Sequence, residues 1–504
     1  MCIFLMACIL QKRRPKMKKK DMMGIILFLV LVFAAGIGTQ AFAKNVKGRS
    51  YKITYKLDKG TNNKRNPAKY KSDKTTRLYP PVRRGYVFKG WYSDPKYKNR
   101  IRKIKRGTKG AITIYALWQL EPLNVNKKGS ADMIWSWWYY PQAITYEGKQ
   151  KKLYWGFASG KGYCGVASYN YADKAVEKTY LKKSTSVDDH NGLALTVMPD
   201  GRIMCVYAGG HNVDRDIYVR ISDKPENIHE FSTNTVLRSS GKTCYSQILQ
   251  YNGKYYLFYR VDNKKWAYRV SSDGLKWTDE VILITSPMQY YCKFMPTTKK
   301  GIIRVCMYSN PAGGDTSIRM GFFNLNTGKL YDADNRTKLG TKKISYRKFS
   351  VIISKPKDLT QRMFDVAITE PGKPRILYAV FSSSKTSKAS TYKLYDAGKV
   401  IDICQGGEPL WNPKYQLGAS FVADGEIVLA RNRSGCDMVE RYRYSKGKIK
   451  FVKLVYTEKT GNNHTRNARP IADVNGKAFL WHRGYYNPDS YKDFNTEAKL
   501  YFMP

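Results

Sequence analysis

Two histidines, a tyrosine and an arginine hold the most suggestive spacing in this chain. Asp188-Asp189-His190-Asn191 and Gly209-Gly210-His211-Asn212 lie either side of an Asp200-Gly201 turn, and His190 and His211 are equidistant from the middle of that dipeptide. Residues equidistant from the turn of an unbulged hairpin face each other, so the two rings are expected as cross-strand neighbours. In the next repeat Tyr245 and Arg260 stand equally far from Asn252-Gly253. The chain has five histidines, and two of them fall at these matched positions.

On an acidic sugar polymer such a group has a definite use. The proton at C5 of a uronate sits beside a carboxylate, and removing it builds negative charge there, which a bound guanidinium offsets. A histidine or tyrosine takes that proton, and a second such group protonates the departing glycosidic oxygen. The outcome is β-elimination, which cuts the chain without water and calls for no metal and no cofactor. The residue types leave open which of His190 and Tyr245 is the base.

These residues need a frame. From Tyr140 to Pro504 one unit recurs: an apolar strand, a Gly-containing turn, then a second strand rich in aromatics. The second strands are expected to begin at Lys152, Arg202, Lys254, Ile302, Arg375, Glu426 and Lys477. The longest gap, between the fourth and fifth, is expected to hold an insertion. Four of the turns, Asp200-Gly201, Asn252-Gly253, Asp424-Gly425 and Asn475-Gly476, are the dipeptides that type I′ hairpins favour. Strand-rich units at such a period read as an all-β fold, a seven-bladed β-propeller over residues 121–504. In that fold the residues before strand one and after strand two of each blade converge at one face of the axis, where His190, His211, Tyr245 and Arg260 fall.

The rest of the chain bounds the partners. Seven Lys/Arg between Lys12 and Lys20, an apolar run from Met22 to Ala35 and Ala41-Phe42-Ala43 predict a secretory signal over residues 1–43, with a retained anchor as the alternative. The expected location is therefore outside the cytoplasm, secreted or wall-associated, which sets nucleic acid aside. Lys+Arg outnumber Asp+Glu by 89 to 39, a net +50. Residues 44–120 are the densest part, with 23 bases against three acids. Such a field attracts polyanions: an acidic polysaccharide and, through residues 44–120, anionic cell-wall polymer. The seven cysteines beyond residue 43 form no C-x-x-C or zinc spacing, so buried thiols are expected rather than a disulfide framework or a metal centre.

Two resemblances sharpen this reading. Gly85-Tyr86-Val87-Phe88-Lys89-Gly90-Trp91-Tyr92-Ser93-Asp94 and Ile114-Tyr115-Ala116-Leu117-Trp118 resemble the Listeria–Bacteroides repeat of the internalin B type. That likeness implies a small β-grasp-like spacer or adhesion module over 44–120, with Trp91 and Trp118 in its core. Trp138-Tyr139-Tyr140-Pro141-Gln142-Ala143, Val187-Asp188-Asp189-His190-Asn191, Gly210-His211-Asn212 and Tyr259-Arg260 resemble the BNR-repeat propellers that include ulvan-lyase-type polysaccharide lyases. This second likeness implies that His190 and Tyr245 exchange the protons while His211 and Arg260 orient and neutralise the uronate. Asn191, Gln142, Lys293, His482 and Arg483 complete the expected substrate contacts, the last three as basic groups suited to polymer carboxylates or sulfates.

Two rival functions fit the same fold. A non-catalytic glycan-binding adhesin would use the same basic rim. A sialidase-like hydrolase would share the propeller, and Ser271-Ser272-Asp273-Gly274-Leu275-Lys276-Trp277 looks like a degenerate Asp-box, but that element reports fold and not activity.

Overall fold

The computed structural model describes residues 48–125, 132–184, 186–311, 314–382, 390–407, 417–433, 435–459, 468–487 and 492–503. The expected signal over 1–43 lies outside them. Among the described residues no helix is long and apolar enough to cross a membrane. Two compact units meet at the Trp118–Gln119 boundary.

In the smaller unit a five-stranded sheet runs in the order Lys69–Lys71, Ser50–Lys56, Ile112–Leu120, Tyr86–Tyr92, Arg100–Ile101. Ser50–Lys56 and Ile112–Leu120 pair in parallel. Its core is aromatic. Trp91 and Trp118 are buried, and each indole N–H donates to a backbone carbonyl, that of Tyr79 at 3.1 Å and that of Leu57 at 2.8 Å. Both are therefore packing residues, as expected, and the lysines and arginines are left to the surface.

The larger unit is all-β and propeller-like. Seven sheets follow one another along the chain, each a meander whose neighbouring strands are antiparallel. Their second strands begin at Lys151, Ile203, Lys254, Ile302, Arg375, Glu426 and Ala478, within one residue of expectation. The Gly-centred turns set these starts, because each hairpin turn needs a residue at positive φ. The long gap between the fourth and fifth sheets holds short strands at Lys338–Gly340, Ile344–Ser345 and Val351–Ile353 and a single 3₁₀ turn at Tyr346–Lys348.

Neighbouring sheets are tied through their inner strands. Leu195 N–H donates to Pro141 O at 3.0 Å, and Gln250 Nε2 donates to Thr196 Oγ1 at 2.6 Å. Gln247 gives a hydrogen bond to Cys292 O and accepts one from Phe294 N–H. Lys293 pairs with Asp365 at 2.9 Å, whose other oxygen accepts from Phe421 N–H. Ala472 N–H reaches Ser420 Oγ, and Thr145 N–H reaches Asp473 Oδ1 at 2.6 Å. The last of these contacts returns from the seventh sheet to the first. The outermost strand of the seventh sheet comes from the opposite end of the unit: Leu123–Asn124 pairs with Lys499–Leu500.

Two registers differ from expectation. At Asp200-Gly201 the ladder runs Ala194↔Val206 to Val197↔Ile203, centred on Asp200, because the loop is the three residues Pro199–Gly201. His190 is thus level with Gly210 by ladder count, and the strand itself starts only at Ala194. In the third sheet Asn252-Gly253 does form the two-residue turn, both residues at positive φ, but Cys244 faces Arg260 and Ser246 faces Tyr259. Tyr245 is the bulged residue between them, at φ +53°. A bulge adds one residue to one strand and re-aims its side chain.

The thiols are as expected. Cys164, Cys205, Cys244, Cys292 and Cys306 are buried and Cys404 and Cys436 half-buried, and none is in a disulfide. The Asp-box-like string forms the turn after Lys265–Ser271, with Asp273 accepting from the Leu275 and Lys276 N–H groups.

Candidate active site

The four residues singled out by spacing come together despite both register shifts. His190 lies in the loop that enters the second sheet and His211 in the loop that leaves its second strand. Their rings stack with centroids 4.1 Å apart and planes 16° from parallel. The Tyr245 ring stands 5.8 Å from the His190 ring and 5.9 Å from the His211 ring. The bulge brings this about: the extra residue turns Tyr245 off its ladder position and towards the histidines. Arg260 lies over the Tyr245 ring at 4.5 Å and over the Tyr291 ring at 5.2 Å, with Nη2 at 3.4 Å from His211 Nε2. Trp138 and Tyr139 close the far side. Trp138 stacks on Tyr291 at 4.6 Å, and the Tyr139 hydroxyl donates to the His190 carbonyl.

The polar atoms in this cluster divide into two kinds. Those of the loop are satisfied: Asn191 Nδ2 donates to Ser186 O and Asn191 Oδ1 accepts from His211 N–H, so Asn191 ties the two histidine loops together. The Tyr245 hydroxyl and the Arg260 Nε and Nη1 groups have no hydrogen-bond partner, and both residues are 0 % exposed. A buried guanidinium with unused donors and no carboxylate is expensive to keep. An anion supplied from outside would satisfy it.

Two carboxylates set the charge on His190. Nδ1 lies 2.7 Å from Asp188 Oδ1 and 2.5 Å from Asp189 Oδ1. Burial alone would lower the His190 pKa, but Asp189 and Asp188 outweigh it and raise it to about 9. Asp188 also meets His211 Nδ1 at 3.2 Å, and His211 is likewise held above its usual value against the effect of burial, by the Cys244 thiol and Asp188. Burial pushes the Tyr245 phenol well up, so it keeps its proton. Donor atoms of Asp188, His190 and His211 lie within 4.8 Å of one another, a spacing a cation could use. The Arg260 cation against His211 opposes one there, and both carboxylates are already turned on the His190 Nδ1–H, which makes this a proton-handling cluster.

The remaining expected contacts lie elsewhere. Gln142 and Lys293 line one cavity of about 250 Å³ with Trp137, Tyr140 and Asp365, on the far side of the Trp138–Tyr139 segment from the histidines. Lys293 is not a solvated rim cation, since it is buried against Asp365. His482 is 0 % exposed with neither ring nitrogen partnered, edge-on to Trp135 at 5.2 Å, and burial and Arg469 hold its pKa well down. Arg483 pairs with Glu458 and with Glu497 inside its own pair of sheets. Sequence spacing passed over Asp188 and Asp189 as histidine partners, and over Arg469. Two acids directly before a rim histidine were the available signal. Nothing local marks Arg469, whose partner is Asp189, 280 residues away.

Comparison with known proteins agrees with the fold. Residues 152–400 match the BNR repeat-containing family, and residues 51–117 match the Listeria-Bacteroides repeat domain. No curated protein matches the chain. Among solved structures, the PL25 polysaccharide lyase, an ulvan lyase solved both alone and bound to GlcA(1-4)Rha3S, is similar at a TM-score of 0.56 and 14% identity, over 76% of this chain and 96% of that one. The polysaccharide lyase Uly1 is similar at a TM-score of 0.49 and 12% identity, over 74% of this chain and 93% of its own. Likeness at these identities is a likeness of fold.

Proposed function

We propose that this protein is a polysaccharide lyase that cleaves a uronate-containing acidic polysaccharide by β-elimination, and that its seven sheets are the blades of a closed seven-bladed propeller. The observation that carries the activity is the buried, carboxylate-free Arg260 beside the unpartnered Tyr245 hydroxyl and the stacked histidines. Substrate carboxylate binds Arg260 and His211. His190 Nε2 then takes the C5 proton, and the electron pair forms the C4=C5 double bond as the C4–O4 bond breaks. Tyr245 gives its proton to O4. Solvent afterwards returns the His190 proton to the Tyr245 phenolate, and the products are a new reducing-chain end and an unsaturated uronate. His190 is the base in this scheme because it loses its proton at lower pH than Tyr245 does. The ulvan lyase bound to a GlcA-containing saccharide supports a uronate as substrate class. Gln142 and Lys293 would contact neighbouring sugars from their shared cavity.

The test is ultraviolet absorbance of the conjugated uronate across a panel of acidic polysaccharides. Signal lost in His190→Ala supports the lyase. Tight binding without signal on any polymer would leave an adhesin, and reducing ends without absorbance would mean a hydrolase. The pH profile then assigns the base. With His190 as base, kcat/KM climbs through a midpoint near 9, whereas with His190 as acid it is flat below that pH and falls above it.

Residues 1–43 would direct the chain out of the cytoplasm, and residues 44–120 would hold it to anionic wall polymer through many weak contacts. Binding of the full protein to wall polymer is then expected to weaken steeply between about 0.05 and 0.5 M salt, as the screening length shrinks. Salt-independent retention in a sedimentation assay would reject that role.

A further inference from the structure

We propose that Asp189 and Arg469 form a positioning pair through which the seventh sheet orients the His190 ring for its reaction. The inference builds on the reading of His190 as the proton carrier. Arg469 opens the inner strand of the seventh sheet and is 0 % exposed. Its Nη1 donates to Asp189 Oδ2 at 2.6 Å and to Trp135 O at 3.0 Å. The guanidinium lies over Trp137 at 4.2 Å and over Tyr486 at 4.7 Å, and the Tyr486 hydroxyl donates to the same Asp189 oxygen at 2.9 Å. With Oδ2 fixed by two donors from the seventh sheet, Oδ1 is aimed at His190 Nδ1.

A carboxylate held in this way fixes both the tautomer and the angle of an imidazole, leaving Nε2 as the nitrogen that works. Asp188 cannot do this alone, because its second oxygen serves His211. The pair also explains how a carboxylate that is 1 % exposed stays ionised: burial opposes it, and His190 and Arg469 outweigh burial. The other groups facing His190 are His211 from the same sheet and Tyr245 from the third, with Arg260 and Cys244 acting on it through His211. His482, beside Arg469, is uncharged.

The chain has five histidines, so the His190 ring can be followed by NMR in the full-length protein and assigned with His190→Gln. In Asp189→Asn the midpoint is expected to fall by about 1–3 pH units. In Arg469→Met it is expected to rise, because the cation competing for that carboxylate has gone. Both variants should lose about 10-fold or more in kcat with KM for the polymer within about 2-fold, and Arg469→Lys should recover part of the loss. Opposite shifts are something a mere brace does not produce. Melting temperatures that fall while both midpoints stay put would overturn the proposal. Should Asp189→Asn fail to fold, the Arg469→Met and Arg469→Lys titrations decide. They do so even if no polymer is cleaved, so a failed lyase reading is distinguishable from a failed positioning pair.

Discussion

Tyr245→Phe is expected to lower the elimination rate by about two to four orders of magnitude while polymer binding changes little. The substitution removes one oxygen atom. That oxygen is buried and has no hydrogen-bond partner, so its loss breaks no contact of the folded protein. The aromatic packing against Trp138, Tyr139 and the two histidines is retained. A rate loss with an unchanged melting temperature and an unchanged dissociation constant, the latter measured by calorimetry, would thus isolate proton donation to the leaving oxygen. A variant as fast as the parent would remove Tyr245 from the mechanism.

Arg260→Met is expected to separate activity from stability, with opposite signs. Its cation is buried without a carboxylate, with two of its three nitrogens unpartnered. Replacing such a charge by an apolar side chain of similar length removes a desolvation cost, so stability should hold or rise by roughly 1 kcal/mol. Cleavage should fall by about 10²–10³, the usual loss when a preorganised donor to developing negative charge is removed. Arg260→Lys would keep the charge and lose the fork, and should recover only part of the rate. A Met variant that unfolds would mean that Arg260 braces the fold through Tyr245 and Tyr291 instead of waiting for an anion. Thermal melts beside ultraviolet assays make both measurements.

How much of this was legible beforehand differs from element to element. The hairpins were, because a Gly at positive φ punctuates each one and the apolar run on either side leaves little choice of strand. The meeting of His190, His211, Tyr245 and Arg260 was legible in outcome but not in geometry. Equal distance from a turn assumes an unbulged ladder and a known loop length. Pro199 extends one loop to three residues, and Tyr245 takes the bulge in the other hairpin. Neither change alters composition or period, so neither leaves a mark in a single sequence. Lys293 and Arg483 show the reverse limit. Each looked like a spare cation on a rim, yet each faces an acid from another strand, Asp365 in one case and Glu458 and Glu497 in the other. Charge is local in sequence, and neutralisation is not.

The seventh sheet has a consequence in time. Its outer strand, Leu123–Asn124, is among the first parts of the larger unit to be synthesised, and its partner, Lys499–Leu500, is among the last. Their ladder closes a loop of some 375 residues, so it can form only after the intervening sheets have made that loop short in space. Until then the seventh sheet lacks its outer strand, and Arg469, on the inner strand of that sheet, has no settled partner in the second. Assembly order and activation would therefore coincide: a chain whose last strand has not docked would hold a substrate-shaped cluster with an unaligned imidazole, and would become competent in the step that completes it.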